Sequence, residues 1–113
     1  MKVGIVGYRF FNDYNLFEKS INDLNLNITT IISGGCQGAD KLAEEYAKKY
    51  NIPMIIHCPN WSKYGNKAGP IRNTTIINDS DYLIAFLSPK SKGTYDSINK
   101  AKNKKIPITI LNI

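Results

Sequence analysis

Cysteine, histidine, tryptophan and arginine are all scarce in this 113-residue chain, with two, one, one and two copies. Cys36 and Cys58 fit no metal-ligand spacing and read most simply as free thiols of a reducing cytoplasm. A single histidine, His57, cannot define a metal centre or a Ser-His-Asp triad, so a structural role is expected for it. No apolar run approaches the roughly 20 residues that cross a bilayer, which argues against a membrane partner. The N-terminal MKVGIVGYRF lacks the small-residue cleavage site of a signal peptide. A cytoplasmic location is the expectation. Repeats, low-complexity tracts and linkers are absent too, so residues 1–113 read as one domain, long enough to close a core without disulfides or metal.

Acidic residues are few, nine against fifteen basic ones, and the formal charge of +6 is unevenly placed. Residues 1–56 balance six Lys/Arg with six Asp/Glu, so the whole excess falls in residues 57–113. That asymmetry favours an anionic partner. However, Lys100, Lys102, Lys104 and Lys105 fall together at an expected helix C-terminus, where cations suit the dipole. Thirteen of the fifteen cations are lysine, which would suffice for solubility. Arg9 and Arg72 are therefore expected where a planar, bidentate fork is needed.

What the chain has in quantity is strand–helix alternation. KVGIVGY (2–8) reads as a buried first strand. Tyr14, Phe17, Ile21 and Leu24 then recur at helical spacing, with Asn12 or Asp13 available as N-cap. ITTIIS (28–33) is β-branched and continuous, as a strand covered on both faces should be. Ala39, Leu42, Ala43, Tyr46, Ala47 and Tyr50 mark the clearest amphipathic helix. PMIIHC (53–58) is a third strand, and 59–69 is a loop long enough to be functional. Gly69-Pro70 opens a helix to about Asn78. DYLIAFL (81–87) is a fourth strand, Thr94 can cap a helix through Tyr95, Ile98 and Ala101, and IPITIL (106–111) is the fifth strand. The expectation is a Rossmann-like, three-layer α/β fold on a mostly parallel five-stranded sheet.

Ligands of such sheets bind beyond the strand carboxyl ends. Four loops leave those ends, at 7–13, 33–38, 57–69 and 88–93, and the unusual residues lie in them or just after. ISGGCQGAD (32–40) places three glycines before the amphipathic helix, whose unpaired N–H groups and positive dipole end suit an anion such as phosphate. It is neither G-x-G-x-x-G nor a P-loop, and no cofactor is expected. Asp40 either bonds a ribose hydroxyl or favours the helix N-terminus. Arg9 follows the first strand, where it could clamp a phosphate. Arg72 sits in a first helical turn, against its dipole preference, which points to a ligand role. Trp61 and Tyr64 could stack on a base or pack as a lid. Cys36, near a helix start but without a paired base, reads as a small loop residue.

Taken together, SGGCQGADKLAEEYAKKYNIP, NWSKYGNKAGPIRN, DYLIAF and SKGTYDSINKAKNKKIPI resemble the SLOG superfamily, and more narrowly its small single-domain YspA-like, YpsA-related branch. The resemblance covers nearly the whole chain. It implies a Rossmann-like domain that binds nucleotides or nucleotide-derived ligands. It also implies that Gly34, Gly35 and Gly38 form the first phosphate loop, that Gly93 and Thr94 belong to the second, and that Arg72 matches the catalytic arginine of phosphoribohydrolase relatives. Those hydrolases carry P-G-G-x-G-T-x-x-E, but this chain reads SPKSKGTYDS, with Ser97 at the glutamate position. Asp96 is one residue early, a rotation of about 100° on a helix.

The resulting expectation is a binder that senses or sequesters a phosphorylated nucleotide derivative, of ADP-ribose or cyclic-nucleotide type. Its expected contacts are Gly7, Tyr8, Arg9, Ser33, Gly34, Gly35, Cys36, Gly38, Asp40, Trp61, Arg72, Asn73, Lys92, Gly93 and Thr94. No metal is expected, and a homo-oligomer, most simply a dimer, is expected to complete the pocket. The enzymatic alternative is N-glycosidic hydrolysis with Arg72 and Asp96 as its catalytic pair. A nucleic-acid-binding module like the DNA-uptake protein DprA is the third reading, disfavoured because the lysines do not interleave with aromatics.

Overall fold

The computed structural model describes residues 1–113. The elements alternate as read: β1 (Lys2–Gly7), α1 (Tyr14–Leu24), β2 (Thr30–Ser33), α2 (Ala39–Lys49) and β3 (Met54–Ile56) come first. A short α3 (Trp61–Tyr64) and a 3-10 turn (Gly65–Lys67) lead into α4 (Ala68–Asp79), β4 (Tyr82–Leu87), α5 (Lys92–Lys104) and β5 (Ile108–Asn112). All four strand pairings are parallel, and the order is β3-β2-β1-β4-β5. The sheet is thus wholly, not mostly, parallel. From β1 the chain winds outward one way to β2 and β3, and from β4 it winds the other way to β5. The order reverses between β1 and β4, which opens a crevice at their carboxyl ends.

Two apolar layers hold the sheet. One face joins Val3, Ile5, Ile31, Ile84 and Phe86 to Phe17 and Ile21 of α1 and Leu42, Ala43 and Tyr46 of α2. Phe86 stacks between Phe17 and Phe11, at centroid distances of 4.7 and 5.3 Å. Burying each such ring is worth roughly 1.5–3 kcal/mol against leaving it in water. The other face packs Val6, Ile32, Leu83 and Ala85 on Ile76 and Ile77 of α4 and Ile98 and Ala101 of α5. Strands coated on both sides explain the continuous apolar runs.

Several boundaries differ from the sequence expectation, with local causes. Asp13, not Asn12, caps α1 by accepting from the Leu16 N–H at 3.1 Å. Strand β3 keeps only Met54–Ile56 because it is an edge with one neighbour. The 59–69 segment is partly helical, since the Asn60 side chain accepts from the Lys63 N–H and starts α3. Helix α4 opens at Ala68, so Pro70 is its third residue, still in the turn whose N–H groups need no helical partner. Arg72 consequently starts the second turn. Helix α5 begins at Lys92 with Ser91 as N-cap, so Thr94 lies inside its first turn and is not the cap.

The lysines of α5 are not merely solvated. Lys104 donates to the Ile77 and Asn78 carbonyls at 2.9 and 2.8 Å, closing the end of α4. Lys100 reaches Asp96 at 2.7 Å and the Pro70 carbonyl at 2.6 Å.

Candidate functional site

The glycine turn after β2 is built around close approach. Gly38 has φ +71°, and a Cβ there would collide with the Tyr8 and Arg9 main chain. Its bareness lets the β1–α1 loop lie against the start of α2. The Ala39 N–H donates to the Tyr8 carbonyl at 3.2 Å, tying the two loops together. Gly7 serves the same contact from below, since a Cβ there would meet Ala39 and Phe86. Beyond these ties, the amides of Gly35, Gln37, Gly38, Asp40 and Lys41 make no hydrogen bond within the chain. They form a cluster of spare donors at the positive end of α2.

Asp40 braces this turn. Its Oδ2 accepts the Cys36 N–H at 3.1 Å, and the residue is only 7% exposed. Burial pushes its carboxyl above the usual 3.8, opposed by the Cys36 N–H and the positive Arg72. The buried Ser33 hydroxyl lies close enough to favour the carboxylate, yet reaches hydrogen-bond geometry with no atom.

Helix α4 supplies the connection between loops. Arg72 Nη1 donates to the Gly34 carbonyl at 2.9 Å and contacts Cys36 Sγ at 3.5 Å. A Cβ on Gly34 would overlap this guanidinium, so a larger residue there would displace Arg72 from the turn. Arg72 Nε donates to Asn73 Oδ1 at 2.9 Å. Asn73, 5% exposed, turns its Nδ2 to the Gly93 carbonyl at 3.3 Å and to Asp96 Oδ2 at 3.1 Å. Neighbouring residues of one helix thereby hold the turn before α2 and the α5 start at once. The Nη2 edge of Arg72 makes no bond within the chain.

At the α5 start, the Lys92 and Gly93 amides are free of partners, and Gly93 faces open space. Lys92 is exposed and Thr94 buried. Ser97, at the position of the hydrolases' glutamate, is 1% exposed and its hydroxyl is unpartnered. Asp96 Oδ2 is occupied by both Asn73 and Lys100.

Other sequence candidates sit at the rim. Arg9 is exposed and lies over the Phe10 ring at 5.5 Å, and Tyr8 is half-buried. Trp61 is 57% exposed, with its ring edge beside Gly69. His57 takes a structural place, its Nε2 lying 2.6 Å from Asp79 Oδ2. Two participants escaped sequence reasoning. Phe10, 66% exposed, gives no periodic signal, and Lys100 was indistinguishable from its neighbouring lysines. An i, i+4 reading of Asp96 and Lys100 could have found the latter.

An all-parallel, doubly wound domain with glycine turns gathered at the strand carboxyl ends defines a Rossmann-like α/β class. Comparison with known proteins narrows it. The profile of the YspA, cpYpsA-related SLOG family matches residues 1–64. The Gene 61 protein of Mycobacterium phage D29 is 30% identical over 84 residues, covering 69% of this chain and 67% of that protein. The chain belongs to the YspA, cpYpsA-related SLOG family. Among solved structures, DNA processing protein A (DprA) from Streptococcus pneumoniae superposes with a TM-score of 0.78 over 96% of this chain, at 18% identity. The chain spans about half of that protein's length (49%), and the likeness is one of fold. No helix is long and apolar enough to cross a membrane.

Proposed function

We propose that this chain binds a phosphorylated nucleotide derivative, of ADP-ribose or cyclic-nucleotide type, and senses or sequesters it without cleaving it. One observation carries the reading. The Arg72–Asn73 pair draws two helix starts with spare amides to the same sheet edge, and Arg72 keeps one guanidinium edge free. Oriented N–H groups and a fixed cation form a preorganised anion site, which lowers the ordering cost of binding. In this reading Gly35, Gly38, Gly93, Lys92 and Arg9 would meet the phosphates, and the exposed Trp61 ring offers a surface for stacking a base.

Two features favour binding over hydrolysis. A general acid must reach the leaving group, but Asp96 is held by Asn73 and by the Lys100 ammonium. Ser97 has no carboxyl and is buried on the inner face of α5. The test is titration calorimetry with ADP-ribose, nucleoside monophosphates and cyclic nucleotides, alongside chromatography for released base. Saturable binding without base release is the expected result. Base release by the wild type that Asp96→Asn abolishes would overturn it.

A second reading, nucleic-acid binding, rests on a specific observation. Exposed Phe10 and Tyr64 each carry a cation, Arg9 at 5.5 Å and Lys63 at 5.1 Å. That is a pairing able to stack on bases, and the structural neighbour is a DNA processing protein. Single-stranded DNA binding that weakens steeply with salt and with Phe10→Ala would favour it. A two-fold dimer that completes the shallow crevice belongs to the ligand-binding reading, and light scattering at micromolar concentration tests it.

A further inference from the structure

The two cysteines of the chain stand at adjacent strand ends. Strands β2 and β3 pair in parallel through Ser33 and Ile56, and the His57 N–H donates to the Ser33 carbonyl at 2.8 Å. Cys36 lies three residues past Ser33, and Cys58 two past Ile56. Both are exposed and unpaired. Cys58 Sγ already rests against the turn that carries Cys36, 3.0 Å from where a Cβ on Gly35 would sit. One Cα step of about 3.8 Å separates Gly35 from Cys36. A disulfide needs the two Cα atoms within roughly 4.4–6.8 Å, which the loops leaving these paired strand ends must reach on closure.

The two sulfurs also differ in surroundings. Cys36 Sγ contacts Arg72 Nη1 at 3.5 Å. Cys58 has no such partner among the hydrogen bonds and ion pairs of the structure. The turn between them is held at Cys36, whose N–H donates to Asp40, and is bare at Gly35. Gly35 has positive φ and no Cβ, and the Gly35 and Gln37 amides are tied to nothing.

We propose that Cys36 and Cys58 form a redox modification site, oxidised by hydroperoxides to an intramolecular disulfide. The Cys36 thiolate attacks the distal oxygen of the hydroperoxide, breaking the O–O bond and leaving Cys36 as a sulfenic acid with one molecule of alcohol or water. The Cys58 thiolate then attacks the Cys36 sulfur, forming S–S and expelling hydroxide, which takes the remaining proton to become water. Two electrons pass from the thiols to the peroxide, and a dithiol reductant reverses the reaction. Closure draws Cys36 from Arg72 and pins the glycine turn to the end of β3. The inference stands apart from the ligand-binding reading, because it is read on the thiols alone.

The test treats the reduced 113-residue chain with stoichiometric hydrogen peroxide under native conditions. The expected result is a monomer lighter by two hydrogens, loss of both titratable thiols, a Cys36–Cys58 linked peptide, and recovery with dithiothreitol. Cys58→Ser should stop at a Cys36 sulfenic acid that dimedone captures. Arg72→Met should slow oxidation of Cys36 while Cys58, in the Cys36→Ser background, reacts with maleimide as before. Wild-type protein that gains oxygen at separate, unlinked thiols would overturn the proposal. So would disulfides found only between chains, with a rate that scales with protein concentration.

Discussion

Gly93→Ala separates what the fold needs from what a ligand needs. Gly93 is the second residue of α5, its φ is not positive, and no atom lies within 4 Å of the position its Cβ would take. The added methyl therefore meets no neighbour, and alanine narrows the unfolded ensemble and favours the helix. Such a replacement stabilises by about 0.4–1 kcal/mol. For a domain of this size that is a rise in Tm of roughly 2–6 °C. The carbonyl of residue 93 still accepts from Asn73, so the link between α4 and α5 survives. If phosphate oxygens approach the Lys92 and Gly93 amides, the same methyl occupies their path, and an overpacked contact costs about 1–3 kcal/mol, or on the order of 5- to 150-fold in affinity. Thermal unfolding of the free protein and calorimetry with ADP-ribose read the two effects separately. A variant that melts lower than wild type would refute the reading of open space at Gly93. One that binds as wild type would remove α5 from the site.

Other substitutions probe the remaining ties. Arg72→Ala loses the bonds to Gly34 and Asn73 and leaves a buried amide oxygen unpaired. Urea unfolding should show about 2 kcal/mol of lost stability, and anion affinity should fall on the order of 10- to 100-fold. Gly38→Ala drives a methyl into the Tyr8 and Arg9 main chain; its expression and circular dichroism should show failure to reach the native state, where Gly93→Ala succeeds. Asp40→Asn keeps the acceptor for the Cys36 N–H but removes the titration. The folded-state pKa of Asp40 lies above 3.8, so its contribution is fully present below that pH and is lost as pH rises through the raised value. Urea midpoints should therefore move in favour of Asp40→Asn between pH 4 and pH 7, and a shift towards wild type would contradict the burial argument.

Local order was legible because its signals are periodic. Residues 39–50 repeat their apolar face every three or four positions, and α2 forms there with that face on the sheet. The continuous β-branched and apolar runs became β2 and β4, buried on both sides, since only a covered parallel strand tolerates such composition. From that alternation the strand carboxyl ends followed, and with them the edge that bears Gly34, Arg72 and Gly93. Edge strand β3 was overextended and edge strand β5 placed too early, at 106–111 against Ile108–Asn112, because the bounds of a ladder depend on a neighbour, which a run such as PMIIHC does not encode.

What joins the loops was decided in three dimensions. Arg72 reaches a carbonyl 38 residues away and Asn73 one 20 residues away, through contacts between side chain and backbone that leave no mark on local spacing. Ser91 rather than Thr94 became the α5 cap because the turn from Ser88 closes on it, its hydroxyl donating to the Ser88 carbonyl at 2.6 Å. Asp96 reads in isolation as an available carboxylate. Only helix packing put Asn73 on one side of it, while Lys100, one turn along the same helix, binds the same oxygen. Composition and periodicity determined which residues gather at the edge of the sheet. Crossing helices determined which of them are spent on the fold and which keep unbonded donors, because a polar group's partner is set by proximity in space and not along the chain.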